Sequence, residues 1–221
     1  MASYEIVTFD CYGTLIDWDE GIGSAFEHAA AAAGIEVHRA SVLACWARIE
    51  PEVQRARYRP YREVLGETTA RVARHFGWEL GPGERAFVAE SLGDWKPFPD
   101  TNAALARLAA EGCRLAVLSN VDDDLFEATR RHFRVPFDWV VTAQQVRAYK
   151  PAEPHFREGR RRAAGARWLH AAQSRFHDVA PALAMGIPVA WVNRRKEPPS
   201  EAARPDFEVP DLASLADLVC G

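Results

Sequence analysis

Ile6-Val7-Thr8-Phe9-Asp10-Cys11-Tyr12-Gly13-Thr14-Leu15 is the stretch on which the reading of this chain turns. Ile6 to Phe9 is a short run of β-branched and aromatic side chains bounded by turn residues, which favours a buried strand over a helix. Asp10 ends the run, and Gly13 permits a tight turn after it. A carboxylate at a strand's end, followed by such a turn, sits among backbone N–H groups that fix its geometry. The sheet beneath keeps it rigid, which suits nucleophilic attack. Asp10 also reads as the cap of a turn or helix, so the residue alone leaves both roles open.

Working outward, the same kind of run recurs at 114–118, 137–141, 168–171 and 188–192. Amphipathic stretches lie between them: Asn102 to Ala110 behind a cap at Asp100 or Thr101, Leu125 to Phe133, Pro154 to Ala164 and Asp178 to Met185. Strand–helix alternation from about residue 99 onward predicts a parallel sheet with helices on both faces. Residues from about 16 to 95 break that alternation. Ser24 to Ala33, Ser41 to Arg57, Tyr61 to Phe76 and Glu84 to Leu92 all carry helical spacing, so an all-helical insertion is expected between the first strand and the rest of the sheet. In open parallel sheets ligands bind beyond the carboxyl ends of the strands. The residues to interrogate are therefore Asp10, Ser119-Asn120, the stretch near Lys150 and residues 172–178.

Composition narrows the classes. With 221 residues the chain has room for about one and a half domains. A balance of 27 Lys+Arg against 31 Asp+Glu gives −4, with a pI near 6.0. A net-acidic chain has no global electrostatic reason to bind nucleic acid or anionic lipid. The basic stretch Arg157, Arg160, Arg161, Arg162 reads first as a solvated helix face. Cys11, Cys45, Cys113 and Cys220 form no C-x-x-C pair, which demotes zinc and redox sites. The first residues lack the pattern of a signal peptide, and no apolar segment approaches the ~20 residues of a bilayer span. A reducing cytoplasm with free thiols is the expected setting.

Single residues carry weak signals. Ser119 and Asn120 offer donors for a carboxylate, phosphate or leaving group, although both also favour turns. Lys150, ahead of Pro151, would offset several carboxylates in a cleft and orient Asp10, but lysines are commonly solvated. Asp178 also reads as an N-cap. Their order is more specific than any one of them. An Asp in D-x-Y-G-T-L, a later S-N after a strand, a Y-K-P, and then Asp178 eight residues before Gly186 resemble the haloacid dehalogenase superfamily over essentially the whole chain. Phe9 to Leu15 and Ala190-Trp191-Val192-Asn193-Arg194 look like its L-2-haloacid dehalogenase branch. The resemblance implies an α/β fold, a Rossmann-like doubly wound core of residues 1–15 and 96–221 with a helical cap of residues 16–95.

Two departures bear on the chemistry. A phosphatase of this kind needs a second Asp two residues after the nucleophile, to protonate the leaving alkoxide; here that residue is Tyr12. The metal carboxylate of the superfamily falls at Gln173, a neutral amide that suits Mg²⁺ poorly. Displacement of halide needs neither, since halide leaves without a proton and a monocarboxylate is held by a few donors. The resemblance then implies that Asp10 attacks the carbon bearing the halogen, inverting it, and that water hydrolyses the resulting ester to a 2-hydroxy acid. Lys150 would keep Asp10 ionised, Asp178 would position Lys150 and the water, and Thr14 and Ser119 would hydrogen-bond carboxylates. Tyr12, Asn120, Cys11, Gln173 and a cap arginine, Arg48 with Arg39 as fallback, are the expected substrate contacts. Arg175 and His177 are further candidates for anion binding. No cofactor or metal is expected, and the partners are a small carboxylate substrate and a second copy in a homodimer. The alternatives are another carboxylate electrophile such as a strained ring, a Mg²⁺-dependent phosphatase, and a binding module that keeps the scaffold.

Overall fold

The computed structural model describes residues 2–55, 57–198 and 203–221; Met1, where the reading of the N-terminus begins, and Ala56, within the helical insertion, lie outside them. The chain folds as two compact units. One comprises Met1–Asp17, Pro97–Asn120 and Arg131–Gly221, the other Trp18–Lys96 and Val121–Arg130.

The first unit is a doubly wound α/β domain. Its strands are β1 (Ile6–Phe9), β2 (Arg114–Ser119), β3 (Trp139–Thr142), β4 (Trp168–Ala172), β5 (Val189–Val192) and β6 (Phe207–Val209). All neighbours are parallel, in the order β3-β2-β1-β4-β5-β6. The chain moves outward from β1 to β3, then returns to the other side of β1 for β4 and the rest. The loops leaving β1 and β4 therefore diverge, and this switch point opens a crevice at the strands' carboxyl ends. Phe9 is in register with both Val117 and Ala171, so Asp10, Ser119 and Gln173 emerge at the same edge of the sheet.

Side chains alternate across the sheet. Ile6, Leu118, Val141, Trp168, Val189 and Trp191 share one apolar core with Phe156 and Ala163 of a helix at Pro154–Ala163 and with Val179, Ala182 and Ile187. Burying each large apolar side chain contributes roughly 1.5–3 kcal/mol. Thr8 and His170 lie on this same side by strand alternation, polar groups within an otherwise apolar layer. Helices Thr101–Ala110 and Leu212–Cys220 pack against each other, the first touching β2 and the second β5 and β6. The sheet thus carries helices on two faces.

The sequence-expected strands are present with ends shifted by one or two residues. β6 and the helix Leu212–Cys220 were not anticipated. The helix had its signals: Asp211 caps it, accepting from Ser214 N at 2.8 Å, and Leu212, Leu215, Ala216 and Val219 are buried at helical spacing. The segment expected as one helix from Asp178 is instead a π-helical turn, Arg175–Val179, followed by a short helix, Ala180–Ala184. Ser174, not Asp178, caps that turn: its hydroxyl accepts from His177 N at 3.1 Å.

The second unit is helical, built from α1 (Trp18–Ala33), α2 (Arg39–Gln54), α3 (Tyr61–His75), α4 (Phe87–Ser91) and, from a distant part of the chain, Asp123–Arg130. Phe26, Trp46 and Phe87 meet edge to face at its centre, with ring centroids 5.0–6.1 Å apart. Gly21 is required on α1, because a Cβ there would fall 2.3 Å from the Trp95 ring. Asp122 accepts from the backbone N–H of Tyr61 at 2.8 Å and of Arg62 at 2.9 Å, which caps α3 and ties the 121–130 segment to it.

Candidate active site

Four side chains of the α/β unit form one buried cluster at the carboxyl edge of the sheet. Asp10 follows β1, its backbone N–H donating to Ala171 O at 3.1 Å. Gly13 takes φ +94°, a left-handed value that glycine accepts without strain, and closes the turn by donating to Ile16 O at 2.8 Å. The turn brings Thr14 back over the carboxylate, and its hydroxyl donates to Asp10 Oδ2 at 3.0 Å. Lys150 has no exposed side-chain surface. Its three ammonium protons are matched by three acceptors: Asp10 Oδ1 at 2.8 Å, Asp178 Oδ1 at 2.6 Å and Leu118 O at 2.8 Å. The reading of Lys150 as a solvated lysine is thereby excluded.

Burial pushes the Asp10 carboxyl above its ordinary value, with the neighbouring Asp178 charge adding to it and Lys150 and Thr14 opposing. For Asp178 burial acts upward too, but the charge of Lys150 and the hydrogen bond from His170 outweigh it and hold the group below the usual carboxylate range. Burial lowers Lys150, yet the two carboxylates overcompensate and raise it. At neutral pH Asp178 is ionised and Lys150 is charged beside it.

A second layer holds the first. Asn120 brackets the Lys150 backbone: its Oδ1 accepts from Lys150 N at 2.7 Å and its Nδ2 donates to Lys150 O at 3.1 Å. Both ends of the amide are engaged, so Asn120 holds the Lys150 backbone in place. Arg194 donates through Nε and Nη2 to Thr14 O at 3.1 and 3.0 Å, is paired with Asp100, and stacks 4.0 Å over the Phe98 ring. Asp100 is therefore not the side-chain cap expected of it; its Oδ2 accepts instead from Leu212 N.

His170 was missed. Its Nδ1 lies 2.8 Å from Thr8 Oγ1 and its Nε2 lies 3.0 Å from Asp178 Oδ1, while Trp168 Nε1 donates to Thr8 Oγ1 at 2.7 Å. A histidine inside a strand carries no motif, and only its placement two residues after Trp168 on the same strand face hints at a shared layer. His155 is also buried, its Nε2 3.1 Å from Ser119 O, and burial pushes it down to about 3.

The other expected contacts divide. Ser119 ends β2 with its hydroxyl buried and without a hydrogen-bond partner among the described residues. Tyr12 is half-buried, and the Cys11 thiol is buried beside Asp10, where burial raises it well above its ordinary value. Gln173 Nε2 donates to Glu197 at 3.0 Å, while the Gln173 backbone N–H donates to Thr14 Oγ1 at 2.9 Å. Arg175 is committed elsewhere, stacked 4.6 Å over Trp191 and donating to Pro198 O and Ala203 O, so it is not a free anion binder. His177 is bonded to the Ser174 hydroxyl, and burial pushes it down to about 4. Arg39, in the helical unit, is occupied by Glu20 and Glu27. Arg48 belongs to the same unit; it is exposed on α2 with Nη2 3.7 Å from Cys45 Sγ.

These donors do not fit a divalent cation. An ammonium stands between the Oδ1 atoms of Asp10 and Asp178, and the amide of Gln173 is turned to Glu197. Among the described residues no group of three His, Cys, Asp or Glu side chains is arranged to hold a metal ion, and no helix is long and apolar enough to cross a membrane.

Comparison with known proteins agrees with this architecture. The chain is 28% identical to the (S)-2-haloacid dehalogenase H-109 of Pseudomonas putida over 98% of each chain. It is 27% identical to haloacetate dehalogenase H-2 of Moraxella sp. (strain B) over 99% of each. A structure of the L-2-haloacid dehalogenase of Xanthobacter autotrophicus with chloropropionic acid covalently bound has the same fold, with a TM-score of 0.82 at 22% identity over 97% of this chain and 98% of that one. The family model for haloacid dehalogenase-like hydrolases matches residues 4–171, most of the chain. This protein belongs to the haloacid dehalogenase-like hydrolase family.

Proposed function

We propose that this hydrolase displaces halide from short 2-halo carboxylic acids through an ester formed on Asp10. The observation that carries the reading is the Lys150 ammonium, fully buried and bonded to both Asp10 and Asp178. A lysine held there keeps a desolvated aspartate ionised without a metal, as a nucleophile toward carbon requires. The names of the relatives support the substrate class, and the covalently bound chloropropionic acid in the Xanthobacter enzyme supports an ester intermediate.

In the first step an Asp10 oxygen bonds to C2 of the substrate from the side opposite the halogen. The carbon–halogen bond breaks, halide leaves with the electron pair, and C2 is inverted. In the second step water bonds to the Asp10 carbonyl carbon and the bond from that carbon to the ester oxygen breaks. One proton of the water ends on the 2-hydroxyl of the product, the other passes to solvent, and the Asp10 carboxylate is restored. Thr14 holds one Asp10 oxygen, Lys150 the other, and Asp178 receives the water. The unpartnered Ser119 hydroxyl is the group available to the substrate carboxylate, and the half-buried Tyr12 and the buried Cys11 belong to the turn that follows Asp10. Asn120 and Gln173 act as supports.

A halide-release screen over chloroacetate and both enantiomers of 2-chloropropionate, with and without EDTA, tests the reading. The expected result is halide release from chloroacetate and the S enantiomer, unchanged by EDTA, with inverted product. Turnover of phosphate monoesters that requires Mg²⁺, with no halide release, overturns it.

A further inference from the structure

His170 is a buried imidazole at the middle of a central strand, and the cycle above leaves it without a role. Burying a polar ring in an apolar layer is costly unless its nitrogens are bonded. Here both are. Asp178 is ionised at neutral pH and can only accept, so the His170 Nε2 within 3.0 Å of it carries a proton and donates. Trp168 donates to Thr8 Oγ1, which leaves the Thr8 hydroxyl proton free to point at Nδ1, 2.8 Å away. The set Trp168–Thr8–His170 is thus satisfied, and it ends on the carboxylate that Lys150 also touches. Around the ring stand Thr8 from β1, the Phe156 ring edge-on at 5.3 Å and His155 from the neighbouring helix, and Asp178 with Lys150 behind it.

The two donors choose the same oxygen. Lys150 Nζ and His170 Nε2 both bond to Asp178 Oδ1, while Asp178 Oδ2 is buried with no partner among the described residues. A buried carboxylate oxygen without a donor is an acceptor in waiting. Free rotation of the carboxylate would let Lys150 and His170 engage different oxygens and use up both.

We propose that His170 is a positioning residue for the second step: by pinning Asp178 through Oδ1, it reserves Oδ2 to accept a proton from the water that attacks the Asp10 ester. The proposal rests on the ester mechanism above. The water oxygen bonds to the ester carbonyl carbon as its proton goes to Oδ2; the product alkoxide takes up the second proton of that water, and Asp178 then releases its own proton to solvent. Ester formation involves no proton transfer and does not need His170.

The test is a single-turnover experiment on full-length protein with chloroacetate, following halide release and glycolate release separately and trapping the covalent adduct by acid quench and intact mass. In His170→Leu, halide release should stay within about threefold of wild type while glycolate release slows roughly ten- to a hundredfold, the loss expected for a buried hydrogen bond to a charge, and the adduct accumulates. His170→Gln, which keeps a donor at that position, should recover most of the second step. Thr8→Val, which removes only the hydroxyl behind the ring, serves as an independent variant if His170→Leu does not fold, and should slow glycolate release alone. Halide and glycolate release falling together, or neither changing in a folded variant, overturns the role of His170 while leaving the ester mechanism intact. Wild-type protein that forms no adduct and releases no halide overturns that mechanism and this proposal with it.

Discussion

A lysine with no exposed side-chain surface is tolerated only when every proton has an acceptor, and Lys150 meets that demand with two carboxylates and a carbonyl. The arrangement sets opposite pH signatures on its members. Asp178 is held below its usual range, so its contribution to stability is complete above pH 3.8 and is lost as pH falls through its lowered value. Lys150 is raised, so its contribution is complete below 10.5 and disappears as pH climbs through its raised value. Asp10 is raised as well, which makes its ionised form a cost to folding above 3.8. Under the proposed mechanism only the carboxylate attacks, so the acid limb of kcat/KM should lie above pH 3.8, and a steady-state pH profile with a 2-halo acid checks it. An acid limb at or below that value would show that Asp10 is not desolvated as described.

The elements explain what could be foreseen and what could not. Short runs such as Ile6–Phe9 and Val189–Val192 announce buried parallel strands, because both faces of such a strand are covered and no alternation is needed. β6 hides because it has only three residues with Glu208 at the centre, and its pairing comes from β5. At the site, strand ends pointed to Asp10, Lys150 and Asp178 as positions to interrogate. The bonds of Asn120 to the Lys150 backbone and of Gln173 to Glu197 were not legible, because an amide at a strand end serves substrate and scaffold alike. His170 was invisible for the reverse reason: it lies mid-strand, where a histidine looks like any core residue. The cap on α3 is similarly non-local, since Asp122 stands about sixty residues beyond the helix it caps. Asp122→Ala should lower stability by about 0.5–2 kcal/mol, the range for lost N-caps, measured by urea unfolding. An unchanged midpoint would mean the cap carries no net energy.

At the scale of the molecule, strand order does the assembling. Residues 10 and 14, residue 150 and residue 178 come from three separate parts of the sequence, and they meet because β1 lies between β2 and β4 at the switch point of the sheet. The doubly wound architecture was legible from the alternation of strands and helices; the helical unit was legible from its spacing, although its Asp123–Arg130 segment comes from beyond the insertion. Membership of the haloacid dehalogenase-like hydrolases rests on the family match and the fold, whereas the proposed substrate class draws on the names of the relatives and the proposed covalent step on the geometry around Asp10. That step has a direct test. In a single turnover of a 2-halo acid in ¹⁸O-labelled water with enzyme in excess, the label should enter the Asp10 carboxylate and be absent from the first 2-hydroxy acid released; label in that product with none on Asp10 would mean that water attacks the substrate directly.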